Sequence, residues 1–145
     1  MPTPDLSITL ANQRGEVERL AETVDRFGAD HHIDPDDVAT VNLVLDELVL
    51  NIIGHAWKDK LKHQFDVRFY LEEDTLRIEI EDDGRPFNPV DAPPPNLDVP
   101  IEQRVSAGLG IFIARSFVNA MTYRREGNRN VLTVGKKVRR ISPPA

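Results

Sequence analysis

Residues 34–57 read DPDDVATVNLVLDELVLNIIGHAW, and the rest of the chain can be ordered around them. Asp34 can cap a helix, Pro35 suits the first helical position, and Asp36 and Asp37 complement the positive end of the helix dipole. The spacing predicts a helix from Pro35 to about Trp57. Between Val41 and Ile53 it is apolar almost all round (Leu43, Val44, Leu45, Leu48, Val49, Leu50, Ile52), which predicts a largely buried helix. Glu47, Asn51 and His55 recur every fourth residue and so form one stripe on one face. A carboxylate on a buried helix requires a partner or water, because burying it alone costs at least several kcal/mol. The stripe reads either as a self-satisfied Glu–Asn–His row at a helix edge or as the wall of a polar cavity. In such a cavity Asn51 offers a hard oxygen to a cation and Glu47 accepts a proton.

Outward from this helix the chain organises as one domain over residues 1–145. Before it, Leu6–Leu10 alternates as a short strand, and Val17, Leu20, Val24 and Phe27 mark an amphipathic helix over 15–30. His31 and His32, without a third ligand nearby, read as a solvated loop pair rather than a metal site. After it, 65–71 and 75–81 read as strands joined by an acidic turn at 72–74. An irregular stretch from 82 to about 104 holds six of the eleven prolines, a length of loop that is usually functional or disordered. Residues 108–120 read as a helix, and strands near 121–126 and 130–137 flank a turn at Gly127-Asn128. The order β, α, α, β, β, loop, α, β, β predicts an α+β two-layer sandwich with helices packed on one face of a mixed sheet.

Two further segments carry candidate chemistry. Glu81-Asp82-Asp83-Gly84-Arg85-Pro86-Phe87 is first of all a turn at a strand end. In its functional version Asp82, an acceptor only, takes a hydrogen bond from an exocyclic amine and suits adenine better than a carbonyl-bearing base. Ser106-Ala107-Gly108-Leu109-Gly110 leads into a helix, where bare N–H groups aligned with the dipole make a phosphate site. The same pattern also begins ordinary helices after loops. It lacks the lysine of a Walker A loop and the third glycine of a dinucleotide fingerprint.

Composition sets the outer limits. Hydrophobic residues are 40% and charged residues 29% of the 145, ordinary globular usage, and there are no cysteines, which excludes disulfides, thiolate metal sites and cysteine nucleophiles. Residues 1–100 hold 22 acids against 9 bases, and residues 101–145 hold 2 against 9, so the net charge of -6 conceals an acidic body and a basic end. That total does not favour blanket nucleic-acid binding. Arg124, Arg125, Arg129, Lys136, Lys137, Arg139 and Arg140 could serve a phosphate, an acidic partner or only a solvated strand edge. The start of the chain lacks the pattern of a secretory signal, and no uncharged apolar run reaches membrane-helix length. A soluble, cytoplasmic protein with no membrane and no nucleic-acid partner is expected.

Taken jointly, DELVLNIIGHAW, IEDDGRPFNP and AGLGIFIARSFVNAMTYRREGNRNVLTV resemble the N-box, G1-box and G2-box of the GHKL (Bergerat-fold) ATP-binding domains, over roughly residues 5–138. The chain looks most like the single-domain branch, the anti-sigma-factor serine/threonine kinases of bacterial partner-switching modules. Ala107 stands where relatives often have another glycine, and Phe112 where many carry histidine. The resemblance implies ATP and Mg²⁺ as cofactors, Glu47 as the catalytic base and Asn51 as the Mg²⁺ ligand. It implies an ATP site of Asn51, His55, Asp82, Gly84, Gly108, Leu109, Gly110 and Thr133, beneath a mobile ATP lid at about 88–106. Within it Asp82 receives the adenine amine, Gly84 lets the backbone pass close to the base, and Thr133 helps bind adenine through water. Arg104 is the sole base between Arg85 and Arg115 and falls in that lid; it reads as a γ-phosphate contact or as a plain surface arginine. The implied partners are a STAS-type antagonist, phosphorylated on a hydroxyl, and a sigma factor or other client, with a homodimer possible. No second domain with a phospho-accepting histidine is expected. Two other functions remain open: a non-catalytic nucleotide-gated binding module, and a detached ATPase domain acting with a separate chain.

Overall fold

The computed structural model describes residues 2–91 and 106–142. The elements run β1 (Leu6–Ala11), α1 (Glu16–Asp30), α2 (Pro35–His55), β2 (Gln64–Glu72), β3 (Thr75–Asp82), a 3-10 turn (Pro89–Asp91), α3 (Ser106–Ser116), β4 (Ala120–Glu126) and β5 (Arg129–Lys137). Asp34 caps α2 as its sequence requires, its side chain accepting from the Asp36 N–H at 2.8 Å. The helix stops at His55 rather than Trp57, because Trp57 turns back to stack on His63, with ring centroids 4.7 Å apart. α3 begins two residues before the predicted start and ends at Ser116 rather than 120. The Asn119 N–H donates to the Gly135 carbonyl, and the Asn119 side chain accepts from the Lys137 N–H, which draws the chain into the sheet.

The strands form one five-stranded sheet in the order β1-β2-β3-β5-β4, and every neighbouring pair is antiparallel. The two-layer α+β architecture is as predicted, but the sheet is antiparallel rather than mixed. Two helices connect β1 to β2, so the chain returns in the opposite direction. Among the described residues one α-helix, α3, lies between β3 and β4, which run the same way, but β5 folds back between them and keeps them apart. Leu10, Phe65, Val67, Ile78, Ile80 and Val134 line one face of the sheet. Leu20, Val24 and Phe27 of α1, Val44, Leu45 and Leu48 of α2, and Ala114 of α3 cover it from above. With only one helical layer, α2 is not buried all round. Its sheet-facing side is closed, while Leu43 on the outer side is 39% exposed. By length and hydropathy α2 is apolar enough to cross a membrane, but here it is the core helix of the sandwich, with Asp46 and Glu47 at its middle.

The opposite face of the sheet is covered by its own long side chains. Glu79, buried there, lies within 4 Å of Arg68, Arg77 and Arg124, while Arg129 pairs with Glu81 and Asp66. At the far end, the Arg139 backbone N–H and guanidinium both reach Asp37. Burial pushes the Asp37 carboxyl up, and these donors outweigh it and hold the group below its ordinary value. Arginines of the basic end thus pair with the acidic body, which accounts for part of the charge asymmetry without any partner.

Two expected outcomes follow from the packing. A Cβ on Gly28 of α1 would come within 2.4 Å of Val38 Cγ2 on α2. Gly28→Ala should therefore lower stability by about 1–3 kcal/mol through overpacking, measurable by urea denaturation. Glu16 accepts from Arg19 and from the Ala11 backbone N–H, which hold its pKa at about 2 against an ordinary 4.5. Because the folded value is the lower one, this tether is fully stabilising above about 4.5 and is lost as pH falls towards 2. Thermal melts between pH 2 and 6 should show a shallower acid slope for Glu16→Gln than for the wild type.

Candidate functional site

The α2 stripe faces sideways, between the sheet and α3. At its upper end α3 packs against α2 so closely that a Cβ on Gly110 would lie 2.5 Å from Glu47 Oε2. Glycine at 110 is what lets the first turns of α3 reach this carboxylate. One turn on, Asn51 Oδ1 is buried and has no hydrogen-bond partner among the described residues. A buried polar atom left in this state costs about 1–3 kcal/mol. It is a hard oxygen ligand held ready beside a carboxylate, and so fits a bound Mg²⁺. His55 ends the stripe at the rim, with an exposed ring and a carbonyl that accepts from Arg85 Nε at 2.8 Å.

An open cleft lies below, with Asn51, His55, Asp82 and Asn130 among its polar walls. Ile52, Phe87, Tyr123 and Leu132 provide apolar surface. Asp82, the last residue of β3, is buried at the base of the cleft. Its Oδ1 accepts from the Gly84 N–H at 2.8 Å and from Asn130 Nδ2 at 2.9 Å. Oδ2 accepts no hydrogen bond from the described residues, and it is the oxygen available to a ligand.

The stripe and the turn after β3 therefore converge as the sequence suggests. Glu47, Asn51, His55 and Asp82 belong to one region, with Leu109 half-buried and Gly110 buried in α3 beside it. Gly108 lies in the opening turns of α3, so the G-x-G sits inside the helix rather than before it. Arg104, and the lid from 92 to 105, lie outside the described residues. The first lid residues are anchored: Pro89 is buried, and Asn88 bonds both Asp91 and the Val90 N–H.

One expectation is corrected. Thr133 is not brought to the cleft. It pairs with Glu79 and Thr122, on the face opposite the helices, whereas Asn130, Leu132 and Val134 face inward. The reason is the two-residue period of a strand, and apolar Leu132 and Val134 on either side of Thr133 were the legible sign of it. At Gly84 the missing side chain makes room for the chain itself. A Cβ there would lie 2.6 Å from both Cβ and the carbonyl oxygen of Ala56, so this glycine lets the strand-end turn close onto the end of α2. The Arg85 N–H bond to that carbonyl, and the Trp57 Nε1 bond to Asp83, complete the closure.

Sequence reasoning missed Asn130, Tyr123 and Arg125. Tyr123 and Arg125 are neighbours of Leu132 and Asn130 across the β4–β5 ladder, and Asn130 is opposite Asp82 across the β3–β5 ladder. Cross-strand register assembles them, and no local pattern announces it.

Against known proteins, the family profile described as histidine kinase-like ATPase domain matches residues 10–136. The chain belongs to that family. Among curated relatives it is 26% identical over 95 residues to the serine/threonine-protein kinase BtrW of Bordetella bronchiseptica, covering 66% of this chain and 67% of that protein. It is 26% identical over 101 residues to the serine-protein kinase RsbW of Bacillus mycoides, covering 67% of this chain and 62% of the relative. The match thus spans about two-thirds of these relatives' lengths or less. Among solved structures, the RsbU and RsbW domains of Rv1364c from Mycobacterium tuberculosis superpose with a TM-score of 0.66 at 16% identity, over 96% of this chain and 33% of that one. The histidine kinase AdeS of Acinetobacter baumannii superposes with a TM-score of 0.51 at 15% identity, over 91% of this chain and 67% of that one. These two likenesses establish the fold of this histidine kinase-like ATPase domain.

The unpartnered oxygen gives a test that separates function from stability. Asn51→Leu should raise the melting temperature of the ligand-free protein, because an orphaned polar atom is replaced by an apolar side chain. The same variant should lose Mg²⁺-dependent nucleotide binding in calorimetry. A lower melting temperature with binding intact would make Asn51 a structural residue.

Proposed function

We propose that this histidine kinase-like ATPase domain is an ATP- and Mg²⁺-dependent protein serine/threonine kinase that also serves as an anti-sigma regulatory factor in the bacterial cytoplasm. On this reading it phosphorylates a STAS-type antagonist and holds a sigma factor or comparable client. The observation that carries it is the buried, unpartnered Asn51 Oδ1, placed between Glu47 above and the cleft over Asp82 below. The names of the BtrW and RsbW relatives support the choice of protein serine as acceptor.

Each residue has a definite task on this reading. Asp82 accepts from the exocyclic amine of adenine through Oδ2, its other oxygen being held in place. Phe87 and Tyr123 shield the base from water. The opening N–H groups of α3 have no carbonyl partner within the helix and point towards the phosphates. Mg²⁺, held by Asn51 when bound, supplies positive charge that offsets the negative charge building up during transfer. Glu47 accepts the proton of the attacking serine hydroxyl as the new O–P bond forms and ADP leaves. Phosphoryl transfer asks for little covalent help from the protein, so positioning and charge do most of the work.

Incubation with labelled ATP and a STAS-type protein tests the reading. The wild type should label the antagonist. Glu47→Gln should bind ADP as tightly as the wild type and transfer about 10²–10⁴-fold more slowly. Nucleotide binding without labelling by the wild type would identify a nucleotide-gated binding module instead.

A further inference from the structure

The base of the cleft is built around an asparagine that no strand-level pattern singles out. Asn130 is 6% exposed and Asp82 is 5% exposed, side by side on β5 and β3. Asn130 Oδ1 accepts from the Tyr123 hydroxyl at 2.6 Å and from Arg125 Nη1 at 3.0 Å. Its Nδ2 donates to Asp82 Oδ1 and to the Arg85 carbonyl, both at 2.9 Å, with the Gly84 carbonyl further off at 3.4 Å. The orientation of this amide is determined by its neighbours. A guanidinium can only donate, so the atom facing Arg125 is the oxygen. A carboxylate and two carbonyls can only accept, so the atom facing them is the nitrogen. A flipped amide would set donor against donor at Arg125 and acceptor against acceptor at Asp82 and the two carbonyls.

This arrangement has a consequence for what the cleft can bind. An amide nitrogen has two hydrogens, and Asp82 and Arg85 take both. Arg125 Nη1 likewise has two, and the Gly84 carbonyl and Asn130 Oδ1 take both. The Tyr123 hydroxyl gives its single hydrogen to Asn130. These three donor groups are therefore engaged with the protein, and what Asp82 itself offers a ligand is an acceptor, Oδ2. A purine with an amino group at its sixth position satisfies that oxygen. A purine with a carbonyl there sets acceptor against acceptor.

We propose that Asn130, held by Tyr123 and Arg125, is the positioning residue that pins Asp82 Oδ1 and leaves Oδ2 as a lone acceptor, and that it thereby sets the site's preference for 6-aminopurine over 6-oxopurine nucleotides. The inference rests on the nucleotide-binding reading above and adds to it the residue that enforces base choice. Without Asn130 the Gly84 N–H alone restrains Asp82. The carboxylate can then turn, and Arg125 Nη1 and the hydroxyl of Tyr123, which lines the cleft, lose the acceptor that engages them.

The test compares ADP with IDP, which differ in having an amine or a carbonyl at that position, by calorimetry with Mg²⁺ present. The wild type should prefer ADP by at least about tenfold, the scale of one hydrogen bond gained against one left unmade. Asn130→Val should reduce the ADP-to-IDP affinity ratio by about tenfold, and Tyr123→Phe, which removes one of the two donors to Oδ1, by about threefold. A merely structural role would weaken both nucleotides alike and leave the ratio where it was. A wild-type preference that survives unchanged in folded Asn130→Val overturns this inference alone. If that variant does not fold, an unchanged ratio in Tyr123→Phe overturns it equally. A wild type that binds neither nucleotide removes the nucleotide-site reading and this inference with it.

Discussion

Val41, Val44, Leu45, Leu48 and Val49 bind α2 to the sheet by one side, and that anchoring leaves Glu47 and Asn51 on the same rigid rod with few routes to water. A helix cannot turn one residue outward without turning the rest. The polar stripe must therefore be satisfied by whatever lies beside the helix. Here that is α3 approaching through Gly110, and an open cleft between α2 and the inner ends of β3, β4 and β5. The cleft follows from burying an apolar helix that carries polar groups on its flank. Asn51 is the visible residue of that conflict, since its buried oxygen is without a partner among the described residues.

The sheet contributes by placing β5 between β3 and β4. That insertion sets Asn130 opposite Asp82, and Tyr123 and Arg125 next in line. A carboxylate on its own at the end of a strand would be a flexible acceptor. With one oxygen held by the Gly84 N–H and by Asn130, it has a single direction in which to accept. The opposite face of the same strands is occupied by arginine and acidic side chains that satisfy one another, with Glu79 at their centre. The two faces therefore have different tasks, one closing a charged surface and the other shaping a binding cleft. Thr133 belongs to the first, however suitable its hydroxyl looks in the sequence.

How much of this was legible depends on the range of the interaction. The α2 stripe was legible because helical spacing alone puts Glu47, Asn51 and His55 in line, and the Asp34 cap and Pro35 mark where that helix begins. The element order, the one-sided helical layer and the place of Asp82 at a strand end were legible too, since each rests on local periodicity or turn chemistry. Asp82 needed a neighbour, however, and the neighbour lies 48 residues away in sequence. The role of Gly84 was equally hidden, because what its missing side chain accommodates is Ala56 at the end of another element.

The sequence by itself determined which groups would be available: an apolar helix with a carboxylate and an amide on its flank, an acceptor at a strand end, and glycines where a third helix begins. Those follow from covalent spacing and from the periods of helix and strand, which need no knowledge of the rest of the chain. Only the tertiary structure decided which groups meet. The antiparallel return of β5 chose Asn130 over Thr133, and the contact of α3 with α2 set Gly110 against Glu47. Register and helix packing are settled by burial of the shared core, where a shift of one residue would exchange the inner face of a strand for its outer one.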